Sequence, residues 1–139
     1  MTLLARLTFA LCASACLARA CSCSPTTVDE AKKNADIVFR ATITALRDAS
    51  NGERVAVFHV ARVWKGAVSE TFEMPAITEN STCVGFWPKH LVVGADLLVY
   101  AFKRGSPPAY FTSICTRTGP AKDSKDFERL GSGKAPKTK

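Results

Sequence analysis

Apolar and polar positions alternate with a period of two through most of the middle of this chain, and that rhythm predicts strands. From Ala35 to Leu46, Ile37, Phe39, Ala41, Ile43 and Ala45 alternate with Val38, Arg40, Thr42 and Thr44, leaving one polar face. Turn chemistry follows from Asp48 to Glu53, around Asn51-Gly52. In the second strand, Arg54 to Trp64, Val55, Val57, His59 and Ala61 oppose Ala56, Phe58, Val60 and Val63, and the alternation slips at Ala61-Arg62 as at a bulge. Thr71 to Met74 is a short third strand stopped by Pro75. Asp96 to Lys103 and Ala109 to Cys115 are two more, joined through Arg104-Gly105-Ser106-Pro107-Pro108. Short helices flank the strands: Thr26 to Lys33, with acids in its first turn and lysines in its last, and Ser124 to Leu130, with Ser124 as cap.

Ala76 to Lys89 holds Cys83, Gly85, Trp87 and Pro88 and has no period; so long a loop in a small domain is more often functional than accidental. Gly131 to Lys139 is rich in Gly, Lys and Pro and reads as a disordered basic tail. Phe39, Phe58, Trp64 and Trp87 are expected in the core. Five strands, the first two long, predict a mainly β domain over residues 21–130: a small closed barrel of the OB type, with a β-sandwich as the alternative.

The first 20 residues break the rhythm. Arg6, an apolar run from Leu7 to Leu17 and the small-x-small triplet Ala18-Arg19-Ala20 have the layout of a secretory signal cut after Ala20. The run is too short to span a bilayer, and no later stretch approaches the roughly 20 apolar residues a span needs. Lipid attachment at Cys16 or Cys21 is the lesser reading, because Arg19 lies beside one and no bulky aliphatic residue stands three places before the other. Secretion or periplasmic export follows. The mature chain has 119 of the 139 residues, and loss of Arg6 and Arg19 lowers the formal net charge from +7 to +5. Its basic residues are scattered, which suits solvation more than capture of acidic polysaccharide or headgroups.

Four cysteines remain after the leader: Cys21, Cys23, Cys83 and Cys115. In an exported chain they read as two disulfides, with three connectivities open. A structural zinc site fits poorly, for the spacing lacks C-x₂-C knuckles. His59 and His90 have no partner at ligand spacing, and no nucleophile stands with a base, so the chain does not read as an enzyme and no cofactor of its own is expected. Export and disulfides also argue against nucleic acid as partner. On its own, Cys21-Ser22-Cys23 reads as a staple for the N-terminus.

Four stretches together resemble one family. They are Cys21-Ser22-Cys23-Ser24-Pro25 directly after a signal, Asn34-Ala35-Asp36-Ile37-Val38-Phe39-Arg40-Ala41 opening the first strand, Trp64-Lys65-Gly66 closing the second, and Ser81-Thr82-Cys83-Val84-Gly85 with Ser113-Ile114-Cys115. The chain resembles the inhibitory N-terminal domain of the tissue inhibitors of metalloproteinases, within the netrin-like superfamily of OB folds. The resemblance implies the pairs Cys21–Cys83 and Cys23–Cys115. It implies a monomer whose partner is a zinc metalloendopeptidase. The α-amine and carbonyl of Cys21 would chelate the protease's zinc, Ser22 would enter the adjoining pocket, Cys23, Ser24 and Pro25 would lie along the cleft, and Ser81 and Thr82 would pack beside them. Two features depart from the family: Lys33 stands where a further bridged cysteine is expected, and the second domain of the animal proteins is missing. The alternative is a netrin-like binding module of the cell exterior or envelope that inhibits nothing. Asn80-Ser81-Thr82 is also a glycosylation sequon, and sugar there would crowd the same face.

Overall fold

The computed structural model describes residues 21–77 and 83–138; the leader, Asn80, Ser81 and Thr82 lie outside the described residues. Five strands, β1 (Ile37–Asp48), β2 (Arg54–Lys65), β3 (Thr71–Pro75), β4 (Asp96–Arg104) and β5 (Ala109–Phe111), make one antiparallel sheet in the order β3-β2-β1-β4-β5. A sixth, the two-residue β6 (Gly119–Pro120), pairs with β4 and is additional to the five expected. The sheet curls into a half-barrel. Its far edges approach where Phe72 of β3 and Tyr110 of β5 stand 5.6 Å apart between ring centres.

The curl has a local cause. Between β1 and β2 the register shifts at Val38/Phe39, Arg40/Ala41 and Ile43/Ala45, and each such bulge bends and twists the ribbon. The slip beside Ala61 also changes the parity of β2, so that Ala56, Phe58, Val60 and Val63 all face inward. They pack against Ile37, Phe39, Ala41 and Ile43 of β1 and Leu97, Val99 and Ala101 of β4, with Phe39 set edge-on to Phe58 at 5.8 Å. The outer face is not wholly polar. Val38, Leu98 and Tyr100 form a second core there with Ala31, Ala35 and Leu130, beneath α1 (Val28–Asn34) and α2 (Asp126–Leu130).

Helix α1 starts on a capping box, Thr27 Oγ1 accepting from the Glu30 amide and the Glu30 carboxylate accepting from the Thr27 amide. Three expectations need correction. The fifth strand ends at Phe111 instead of reaching Cys115, because side-chain hydroxyls beyond it replace the ladder. Helix α2 begins at Asp126; Ser124 does not cap it in the usual way, although its Oγ accepts from the Asp126 amide at 3.2 Å. Residues 131–138 are not a disordered tail. Lys134 exchanges backbone bonds with Val63 at 2.8 and 2.9 Å, Lys137 pairs beside Val68 and Glu70, and Trp64 Nε1 donates to the Gly131 carbonyl at 2.8 Å. β3 reaches only as far as His59 along β2, so the edge beyond it carries backbone groups that need partners, and the C-terminal segment supplies them.

Candidate functional site

Residues 21–27 have no regular structure and run as an exposed ridge into α1. Two disulfides hold the ridge: Cys21–Cys83, with Cα atoms 5.7 Å apart, and Cys23–Cys115, at 5.0 Å. These are the pairs the resemblance implies. Their receiving ends are fastened to each other first. Val84 and Ser113 form a bridge, the Cys83 carbonyl accepts from the Ile114 amide at 3.1 Å and from Ser113 Oγ at 2.8 Å, and Ser113 Oγ accepts from the Cys115 amide at 3.1 Å. Cys83 itself sits at φ 61°, a left-handed conformation that a side-chain-bearing residue rarely adopts and that these contacts hold in place.

Ser22 between the staples, and Ser24 and Pro25 just beyond the second, are exposed. Thr26 turns back, its Oγ1 donating to the Ser24 carbonyl at 3.3 Å. Ser81 and Thr82, the other expected members of this face, lie outside the described residues; Cys83, which follows them, is beside the ridge.

The support beneath the ridge is polar. Arg117 donates to the Thr26 carbonyl at 2.8 Å while its fork grips Asp126, Nε to Oδ2 at 2.8 Å and Nη2 to Oδ1 at 2.5 Å. Asp126, 3% exposed, also accepts from the Tyr100 hydroxyl at 2.8 Å. Burial alone would raise the Asp126 carboxyl, but Arg117 and Tyr100 outweigh it and hold the group below the ordinary carboxylate range. Burial, and then Asp126, push the Tyr100 hydroxyl upward. Beside them the Thr112, Thr116 and Thr118 hydroxyls lie 2.8–3.1 Å apart, with Thr112 Oγ1 and Thr118 Oγ1 at 2.9 and 3.2 Å from the Tyr100 carbonyl oxygen, so the three hydroxyl protons are shared among these contacts. Sequence reasoning missed this whole network. Its signal was the hydroxyl-rich run from Thr112 to Thr118, which resembles a strand by propensity alone.

An open groove of about 640 Å³ runs along the ridge, lined by Cys23, Ser24, Pro25 and Thr26 together with Trp87, His90 and parts of the segments 114–120 and 123–126. Trp87 is 42% exposed on this groove, not in the core as expected; its neighbour Phe86 takes the core position. Trp64 is half-buried, edging the outer core beside Phe127 at 5.4 Å. His59 is exposed on β2, and burial, then Lys89, lower the His90 imidazole. Among the described residues no group of three His, Cys, Asp or Glu is placed to hold a metal ion, and no helix is long and apolar enough to cross a membrane. A scan against models of protein families finds no match, and no curated protein matches the chain.

Proposed function

We propose that this chain is a secreted, monomeric inhibitor of zinc metalloendopeptidases, a short relative of the tissue inhibitors of metalloproteinases with a netrin-like OB barrel. The observation that carries the reading is the exposed ridge Cys21-Ser22-Cys23-Ser24-Pro25, held at both of its cysteines by bridges to one hydrogen-bonded platform. The strand order β3-β2-β1-β4-β5, with β3 and β5 drawn together, supports the barrel topology. Two disulfides are compatible with an exported chain.

Cleavage after Ala20 gives Cys21 an α-amino group in place of an amide. Such a group titrates near 8, so it sheds its proton at neutral pH at small cost and presents a nitrogen lone pair. With the Cys21 carbonyl oxygen it makes a two-atom donor set suited to the open position of a catalytic zinc, which in the target polarises water for attack on a peptide. Ser22, the next residue, offers a short side chain to the adjoining pocket, and Cys23, Ser24 and Pro25 follow the cleft as a substrate would. Docking then orders little: two disulfides and the fixed φ of Pro25 have already restricted the ridge. The bridge that would end at Lys33 has a substitute. The Lys65 ammonium donates to the Lys32 and Lys33 carbonyls at 2.8 and 2.9 Å, and Arg129 pairs with Asp29, so α1 stays fastened to the body.

The test compares the chain beginning at Cys21 with one carrying an extra N-terminal alanine, both oxidised and titrated against a panel of zinc endopeptidases. Stoichiometric inhibition by the first alone supports chelation through the Cys21 amine. Equal inhibition moves the contact elsewhere. Silence from both folded proteins favours the non-inhibitory binding module.

A further inference from the structure

The five residues Cys21 to Pro25 alone fall short of the roughly 800 Å² per partner that a stable protein complex buries. A tight complex therefore needs contacts from what borders the ridge. Trp87 does: it lines the same groove as Ser24 and Pro25 and leaves 42% of its surface in solvent. An indole is costly to leave wet, and tryptophan is among the residue types that dominate interface energetics. Its backbone is fixed on both sides. Phe86 is buried in the inner core and its amide donates to the Ile77 carbonyl at 2.8 Å, Pro88 restricts the residue before it, and the Trp87 carbonyl accepts from the His90 amide at 2.9 Å. The ring thus stands on a rigid mount and lines the groove that Ser24 and Pro25 also line.

We infer that Trp87 is a second anchor of the inhibitory face, packing on the rim of the protease's cleft while Cys21 to Pro25 occupy the cleft. This rests on the inhibitor reading, and the experiment separates the two. Inhibition constants and dissociation rates are measured for the chain beginning at Cys21, for Trp87→Ala, and for Val93→Ser, the latter removing apolar surface that is 61% exposed but outside the groove lining. Trp87→Ala is expected to weaken inhibition about 30-fold, chiefly through faster dissociation, with Val93→Ser within about twofold of the parent. Should Trp87→Ala fail to fold, Trp87→Leu keeps apolar bulk, and weakened inhibition by it is expected in the same way. An active parent with an equally active Trp87→Ala overturns the anchor and leaves the inhibitor reading standing. An equal loss in Val93→Ser overturns it too, since any apolar surface would then serve. A folded parent that inhibits nothing overturns both. Sedimentation of the chain alone and with anionic vesicles covers the other occupants: association with itself or with lipid that disappears in Trp87→Ala also overturns the assignment.

Discussion

At Asp126 a single carboxylate ties together β4, through Tyr100, the hydroxyl-rich turn, through Arg117, and the N-terminal ridge, through the Thr26 carbonyl that Arg117 also holds. Replacing it with alanine leaves the buried Tyr100 hydroxyl without its acceptor and Arg117 without its counter-charge. Asp126→Ala is expected to lose about 3 kcal/mol in urea unfolding, against about 1–2 kcal/mol for Tyr100→Phe. The pH dependence follows from the directions. Asp126 is lowered in the folded state, so its contribution is present above the ordinary carboxylate value near 4 and is lost as pH falls through the lower folded value. Tyr100 is raised, so its contribution is present below about 10 and is lost as pH rises past it. Asp126→Asn should flatten the acid limb of stability against pH; an unchanged limb would mean other carboxylates govern it. Gly66 makes a second residue-level test. It sits at φ +77°, and an added Cβ would stand 2.5 Å from Ile37 Cγ2 and 2.8 Å from the Asp36 carbonyl oxygen. Gly66→Ala should cost about 2 kcal/mol or more, whereas Gly52→Ala, at φ +81° with nothing within 4 Å, should cost about 1 kcal/mol.

Among the elements, the C-terminal segment is the one whose role is most open to test. Stopping the chain after Ser132 removes the pairings of Lys134 with Val63 and of Lys137 with Val68 and Glu70. The expected cost is about 1–2 kcal/mol, with a tendency to associate through the uncovered β2 edge that sedimentation would detect. That segment also marks where reading the sequence stops. Its Gly, Lys and Pro content is that of a disordered tail, and only the shortness of β3 shows why it is ordered. The long strands were legible because alternation reports burial directly, and the slip at Ala61-Arg62 marked a real bulge. Threonine misled at the end of β5, since the same residue serves a ladder or replaces one with its hydroxyl. Trp87 misled as well, because composition ranks tryptophan as core and cannot see that Phe86 already fills the space. The ridge was legible as Cys21-Ser22-Cys23, but its support was not: Tyr100, Arg117 and Asp126 are far apart in sequence and meet only through the fold.

Over the whole molecule the two bridges close separations of 62 and 92 residues, and constraint of the unfolded chain is worth about 4 kcal/mol for each. Replacing Cys21 and Cys83 together by serine should lower stability by about that much while the half-barrel still forms, as a urea titration with far-ultraviolet dichroism would show. Under the proposed reading, inhibition by that variant should fall more than its stability explains, since the ridge loses its fixed position. The longer bridge also orders events in the making of the protein. Cys23 emerges early in synthesis, but its partner arrives 92 residues later, when β1 to β5 have already been made. The ridge, made early, is therefore among the last parts to be set. A reduced copy therefore holds the half-barrel without the staple at Cys23 and, under the proposed reading, without the fixed ridge that inhibition requires.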